Sequence, residues 1–391
     1  MKMHYLFVAA WHVVIAGLVA TVVAVSAHGV MDQSLRTARA ETLQSYIRVR
    51  ADREQNLFDE ARSFVNAAEQ AFRRRLDQIS PEQVEAEFDR FFPEHGDGTR
   101  RSVDALFDGT LLASGDYVFG LGAFLADSEA MTLEEKRRYM ASFHAVRAVG
   151  EAHLGEFSSL YYFTPDRRVL IFAPEREDRL MFYRREAPAD FQLQADEDPR
   201  LFSEVTNPNA EMQCTRLSRF VYNDSGERAA TACRRPVRDG DTLLGAFGTS
   251  IMMNDYLAGT LENPPAGGLN MMFDRDGSVI ARGSTSLSGD RTHVSPTEIM
   301  DLLADDPRPR GIVETPDRMH LIAFSRVAGP DWYFVSVVPL ADLEASAQHQ
   351  AAKLFILAFL VTLAGAALRG GIRRWKPVSR FLEARKAPGS D

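Results

Sequence analysis

The sequence predicts an α+β protein: a long N-terminal helix leads into two mixed modules of strands and helices, all held between two membrane-spanning helices. Three observations carry that expectation. Long apolar runs stand near both ends of the chain. Between residues 32 and 79 apolar residues recur at three- and four-residue steps. From residue 158 onward the pattern changes to short apolar or alternating runs separated by turn residues. The composition of the 391 residues is otherwise ordinary, with 45% hydrophobic and 25% charged, so these are local signals on an unbiased background.

The first apolar run is YLFVAAWHVVIAGLVATVVAVSA, residues 5–27, about the length a spanning helix needs. Its polar members are His12, Thr21 and Ser26. A cleaved signal peptide ending at Val25-Ser26-Ala27 is the alternative, but its apolar stretch would run only about 7–15 residues. An uncleaved anchor over residues 5–28 is therefore expected. The second run, LFILAFLVTLAGAAL, is extended by its neighbours into a span over residues 353–372, with Lys353 and Arg369 placed to reach the headgroups. Arg373, Arg374, Lys376, Arg380, Arg385 and Lys386 follow it, and Lys2 precedes the first span. The positive-inside rule then puts residues 1–4 and the short basic tail 373–391 in the cytoplasm and residues 29–352 outside. A net charge of −9 speaks against a nucleic-acid partner, which would need a basic face.

Within the outer region, residues 29–80 form the long helix, with Leu57, Ala61, Phe64, Ala68, Phe72, Leu76 and Ile79 on one face. Ser80-Pro81 ends it, because the residue before proline is pushed out of the helical region, and Pro81 can open a short helix to Phe92. Residues 81–262 make a membrane-distal module. It holds a helix over 133–154, a strand pair at 158–163 and 169–173, a second pair at 212–222 and 228–237, and a strand at 243–253. The breaker cluster Asn263-Pro264-Pro265-Ala266-Gly267-Gly268 is the best internal boundary. The membrane-proximal module, residues 263–345, then repeats the theme. Strands at 269–273 and 278–281 flank Asp274-Arg275-Asp276-Gly277, a helix spans 296–303, and strands follow at 311–314, 320–326 and 332–338. A last helix from Ala341 enters the second span.

This order of parts resembles the double Cache family of bacterial extracytoplasmic sensors, with two stacked PAS-like modules. Three stretches carry the resemblance: PVRDGDTLLGAFGTSI at 236–251, MFDRDGSVIA at 272–281 and WYFVSVVP at 332–339. It covers residues 32–345. It implies a ligand pocket in the distal module and an inner-membrane protein whose sensor region is periplasmic or extracellular. It also implies a signal delivered to a kinase, cyclase, phosphatase or chemoreceptor output. Here 19 residues follow the second span, too few for a folded output domain, so the output is expected in a separate cytoplasmic partner or a missing continuation. Trp375-Lys376-Pro377-Val378 resembles the opening of a HAMP linker; a plain basic tail is the alternative.

Candidate ligand-binding residues are Tyr161, Tyr162, Arg179, Tyr183, Arg184, Arg185 and Tyr222. The segment 173–185 is dense in guanidinium groups and aromatic rings. Arginine can grip a carboxylate or phosphate through two parallel hydrogen bonds, and tyrosine adds an apolar wall with a polar tip. A small, anionic or amphoteric ligand is the expectation; a charged surface helix with its ions paired internally is the alternative. The amino-acid-binding branch of the family has an Arg-x-Trp-aromatic pattern and a late Asp. Here Arg179 is followed by Leu180-Met181-Phe182, and Ser250 stands at the Asp position, so an amino-acid ligand is not expected. Cys214 and Cys233 lie on the two arms of a predicted hairpin, where a disulfide or two buried thiols would fit.

No catalytic motif emerges. The nine histidines include no HExxH spacing, there is no GxSxG elbow or Walker loop, and the Asp274 turn lacks a calcium loop's downstream Glu. No enzyme activity, cofactor or metal is expected. Expected partners are a small ligand, the membrane, a second copy of the chain through the long helix, and a cytoplasmic signalling protein. The rival functions are a membrane-held solute-capture or protein-interaction module and an extracytoplasmic hydrolase.

Overall fold

The computed structural model describes residues 2–127, 131–193, 198–219, 229–274, 276–283, 294–304 and 306–384. In chain order the elements begin with helix α1 (Lys2–Gln78), α2 (Pro81–Phe91), β1 (Arg100–Arg101), α3 (Ala105–Asp108), β2 (Thr110–Leu111), β3 (Tyr117–Val118) and β4 (Leu121–Leu125). Helix α4 (Leu133–Ala152), β5 (Leu160–Thr164), β6 (Arg168–Phe172), a π-helical turn at Phe182–Glu186 and α5 (Asp198–Phe202) follow. Then come β7 (Gln213–Cys214), β8 (Ser218–Arg219), β9 (Ala229–Asp239), β10 (Thr242–Met252) and α6 (Asn254–Leu261). The chain closes with β11 (Leu269–Phe273), β12 (Val279–Arg282), α7 (Pro296–Ala304), β13 (Arg310–Glu314), β14 (His320–Val327), β15 (Trp332–Pro339) and α8 (Ala341–Ala384).

Two compact units are distinguished. One comprises Ile47–Gly311 and Phe324–Ser336; the other comprises Met1–Tyr46, Ile312–Ala323 and Val337–Asp391. The strands form an eight-stranded sheet ordered β1-β4-β6-β5-β10-β9-β7, with β8 also on β9, and a five-stranded sheet ordered β12-β11-β15-β14-β13. Strands β2 and β3 form a third, two-stranded sheet, and the α+β class with a long N-terminal helix read from the sequence is present.

Helix α1 is a single element of 77 residues, so the apolar run and the outer helix expected over 29–80 are continuous; Gly29 does not interrupt it. Its apolar beginning is solvent-exposed, with Trp11 at 60% and Val25 at 67%. Such exposure suits lipid, where apolar side chains must face outward and all backbone groups are bonded within the helix. By length and apolarity the stretches beginning at Ala10 and covering Ala347–Leu368 are both candidate membrane spans. Helix α8 continues as one helix through Trp375-Lys376-Pro377-Val378 to Ala384, beyond the point where the sequence suggested the span ends.

Farther along α1, Ala61, Phe64, Val65, Ala68 and Phe72 are buried. Val65 and Phe58 join the expected stripe, while Leu57 and Leu76 are only half-buried. Phe64, Val65, Ala68 and Phe72 join Val84 and Phe88 of α2, Tyr139 and Phe143 of α4, and Leu160, Tyr162 and Phe247 of the sheet in one core. Ring contacts knit it: Phe72 lies 5.8 Å from Tyr162 and 5.6 Å from Phe247, centre to centre. Ser80 and Gln83 form a reciprocal capping box at α2, and Thr132 and Glu135 form one at α4, each satisfying donors the helix start leaves open.

In the same unit, Trp332 of β15 is fully buried, edge-on to Phe58 of α1 at 5.8 Å. Glu54, also buried, accepts a hydrogen bond from the Thr260 hydroxyl at 2.9 Å. In the other unit, Arg36 pairs with Asp32 at 3.0 Å and Glu314 at 2.9 Å.

Candidate ligand-binding face of the distal sheet

Successive side chains of a strand point to opposite faces. On β5, Leu160 and Tyr162 therefore enter the helix-side core, while Tyr161 and Phe163 enter a second cluster with Phe124, Val169, Ile171, Leu180 and Tyr183. That second face is roofed by the segment 174–187. Its approach to the sheet is allowed by two glycines. A Cβ on Gly248 would sit 2.6 Å from the Tyr161 hydroxyl, and one on Gly122 would sit 2.9 Å from Leu180 Cβ and 3.4 Å from Arg184 Cγ. Glycine is what leaves those side chains room to lie across the strands.

The roof is not the surface helix that its charge pattern could have made. Arg179 and Leu180 adopt φ of +51° and +55°, two consecutive left-handed residues that are not glycine. Such conformations are held only where surrounding contacts enforce them, and they concentrate at ligand clamps and switches. The turn from Phe182 follows, closed by a bond from the Ala187 amide to the Phe182 carbonyl at 2.7 Å. Single π turns also recur at functional sites. Arg101 fastens the end of the roof, donating to the Tyr183 carbonyl at 3.3 Å and the Ala187 carbonyl at 2.8 Å while stacking 4.4 Å over Phe124.

Cations are built into this face. Arg184 is 4% exposed, pairs with Asp104, donates to the Arg179 carbonyl at 3.0 Å and stacks over Phe107. Arg234 of β9, also buried, lies 5.5 Å over the Phe163 ring. Arg176 stacks 5.5 Å over Tyr183 and forks onto Asp178 at 2.9 and 2.7 Å. Partial burial works to raise the Asp104 carboxyl, but Arg184 and then Arg185 outweigh it and hold the group below its ordinary range. The arrangement offers fixed guanidinium and phenol groups beside aromatic walls, a combination suited to an anion attached to a flat or apolar body.

Tyr161, Tyr183 and Arg184 are brought together on this face, and Ser250 lies opposite Ala232 of the same cluster. Tyr162 is on the other face, where its hydroxyl donates to the Leu244 carbonyl. The Arg179 side chain is 59% exposed and pairs with Asp108; the Arg185 side chain is 55% exposed and shares Asp104. Tyr222 lies outside the described residues. Cys214 and Cys233 are directly paired across β7 and β9 and joined by a disulfide. Arg101, Arg234 and Asp104 were not singled out by sequence. For Arg234 a signal existed, since it continues the alternation of Ala230 and Ala232 along β9. Among the described residues no group of three or more His, Cys, Asp or Glu side chains is placed to hold a metal.

No family model and no curated protein sequence matches the chain. Solved structures do resemble it. The sensory domain of the Campylobacter jejuni chemoreceptor Tlp3 (CcmL) is 10% identical and aligns over 81% of this chain and 99% of its own, with a TM-score of 0.46. The periplasmic sensory domain of the C. jejuni chemoreceptor Tlp1 is 12% identical over 79% of this chain and 97% of its own, with a TM-score of 0.42. The ligand-binding domain of the Pseudomonas fluorescens chemoreceptor CtaA, solved with L-isoleucine, is 12% identical over 80% of this chain and 98% of its own, with a TM-score of 0.40. Over about four-fifths of its length the chain is thus similar to sensory domains of bacterial chemoreceptors.

Proposed function

We propose that the chain is a membrane-anchored extracytoplasmic sensor that binds a small anionic ligand under the 174–187 roof and passes the event inward through α1 and α8. The observation that carries this reading is the continuity of α1. The helix that places Phe64 and Phe72 in the core is the same unbroken element that is apolar and mostly exposed over residues 10–27. Helix α8 similarly leaves β15 after a single residue and runs without interruption through the second apolar stretch. The basic cluster after that stretch favours both termini in the cytoplasm, with the sheets outside.

The chain performs no chemistry on the ligand in this reading, and its output is a separate cytoplasmic protein or a further domain. The isoleucine of CtaA is not carried over. Ser250 and Met181 stand where the amino-acid-binding pattern has Asp and Trp, and a serine does not supply the charge that would hold an ammonium group.

The test is a thermal-stability screen of the full chain in lipid nanodiscs against dicarboxylates, aromatic acids, nucleotides, amino acids and amines. Binding to the native state at 100 times Kd adds about 2.7 kcal/mol of stability. The expected result is stabilisation by anions that is lost in Arg184→Ala and weakened in Tyr183→Phe. Stabilisation by amines alone, or equal stabilisation of the Arg184→Ala variant, would contradict it.

A further inference from the structure

On the helix-facing side of the distal sheet, away from the 174–187 roof, a cleft of about 260 Å3 opens between the start of α4, the β5–β6 turn and the β9–β10 hairpin. Its floor is made of Tyr139 and Tyr162, whose hydroxyls are already engaged, by the Val169 carbonyl at 2.8 Å and by the Leu244 carbonyl. What they present to the cleft is ring surface. The hairpin wall depends on Gly245, at a φ of +140°, where the pairing of β9 and β10 slips by a residue. A Cβ on Gly245 would sit 2.5 Å from the Tyr162 hydroxyl, so only glycine lets the phenol lie there. Bulges of this kind recur where a sheet edge is shaped for binding.

Four charged side chains enter the cleft: Glu135 and Arg138 from α4, Asp166 and Arg168 from the turn and β6. Three satisfy one another. Arg168, with a side chain 7% exposed, pairs with Glu135 at 3.0 Å and with Asp166 at 2.7 Å. The other oxygen of Glu135 accepts from the Thr132 amide at 2.7 Å and hydroxyl at 2.8 Å. Burial opposes ionisation of this carboxyl, yet the Thr132 and Arg168 bonds hold it down to about 2, so it is a carboxylate at any ordinary pH.

Arg138 is the surplus charge. Its Nε is buried and hydrogen-bonds to nothing among the described residues, and its one ion-pair contact is Glu134 at 4.0 Å, the outer limit of such pairing. A half-buried guanidinium lining the cleft beside Tyr139 and Tyr162, with Met131, Leu243 and Leu244 as apolar walls, is a cation only weakly paired in a cleft that has room for an anion. The volume is below the roughly 300–1,000 Å3 of pockets for drug-sized ligands, which limits the occupant to a smaller molecule.

We propose that this cleft is a second ligand site, which takes a small carboxylate with a short apolar body: the carboxylate on Arg138, the body against Met131, Leu243 and the Tyr162 ring. It is independent of the site under the 174–187 roof. The two sites lie on opposite faces of β5, as the opposed Tyr161 and Tyr162 show. Occupation would brace the first turn of α4 against the β9–β10 hairpin.

The experiment titrates the full chain in nanodiscs with sodium acetate, sodium butyrate and sodium benzoate. Sodium chloride at equal ionic strength and n-butylammonium chloride serve as controls, with melting temperature as readout. Butyrate or benzoate should give a saturable rise that butylammonium does not. Arg138→Met should weaken it tenfold or more, the loss expected when a charge-assisted contact is removed. Leu243→Trp, which fills the cleft from its half-exposed rim, should abolish the rise even should the arginine variant fold poorly. Arg184→Ala, which acts on the roofed face, should leave untouched the part of the rise that Arg138→Met removes. Absence of a saturable rise with all three carboxylates would overturn the proposal. So would a rise that survives both Arg138→Met and Leu243→Trp; one that also vanishes in Arg184→Ala would move the carboxylate to the roofed face.

Discussion

The two faces of the eight-stranded sheet are made by the same strands, yet they are furnished differently. The face toward α1, α2 and α4 is a continuous aromatic and aliphatic core, with Phe72, Phe88, Phe143 and Phe247 fully buried. The face under the 174–187 roof is also apolar at its base, but Arg101, Arg184 and Arg234 are buried among its rings. A core needs no buried charge, and each guanidinium removed from water is costly unless it is bonded. The helix side is therefore what holds the module together. The helix side buries Arg100 and Arg168 as well, but each pairs with two carboxylates at the edge of the core, whereas the roofed side sets Arg101, Arg184 and Arg234 over the rings at its base, where the ligand is proposed to bind.

The comparison breaks most visibly at the helix side. Phe72→Ala should cost about 3–5 kcal/mol, the usual range for emptying a fully buried phenylalanine, read from denaturation of the full chain. A loss below 1 kcal/mol would mean that α1 does not seal the distal core.

The next effect concerns pH. His144 of α4 faces Arg75 at 3.4 Å and Glu87 at 4.0 Å, with Arg147 and Asp116 nearby. Burial, then Arg75 and Arg147, push its imidazole down to about 4, whereas the unfolded chain protonates near 6.5. The unfolded state thus binds the proton first, so stability is full above pH 6.5 and falls as pH drops from 6.5 to 4, by up to about 3 kcal/mol. Glu135, held to about 2 in the fold, adds a further loss between about 4.5 and 2. His144→Asn should remove the upper part of that decline. A decline unchanged in that variant would assign it to other groups.

The smallest effects separate two arginines on one carboxylate. Asp104→Ala leaves buried Arg184 without its acid and should cost about 1–3 kcal/mol. Arg185→Ala removes an exposed member of the same pair and should cost under about 1 kcal/mol. Equal costs would erase the distinction between a buried and a surface cation on the roof.

Much of this architecture was legible in the sequence. The expected helix at 133–154 is Leu133–Ala152, and the expected strand at 269–273 is Leu269–Phe273. Long periodic segments identify themselves because one face must be apolar throughout. The region 93–132 yielded no strand: β1, β2 and β3 are two residues each, and β4 is buried on both faces, so none shows an alternation to read. The site was partly legible. Tyr161 and Tyr162 are consecutive on a strand, so the alternation already required them to face opposite ways, and placing both in one pocket overlooked it. Arg179 and Arg184 could not be ranked from sequence. The left-handed pair at Arg179 and Leu180 and the π turn after it reset the direction of every later side chain, and neither has a sequence signature.

The central claim is that a ligand on the distal sheet is felt at the membrane. Its most direct test is pulsed spin-label distance measurement between Val25→Cys on α1 and Leu360→Cys on α8, in nanodiscs. Both positions are exposed, and the two native cysteines are already bonded to each other. Transmission requires the ligand to favour one helix arrangement over another. The stabilising anion should therefore shift the distance distribution in otherwise wild-type protein and leave it unshifted in Arg184→Ala. An unchanged distribution at a ligand concentration that fully stabilises the chain would contradict the account and leave a capture protein in its place.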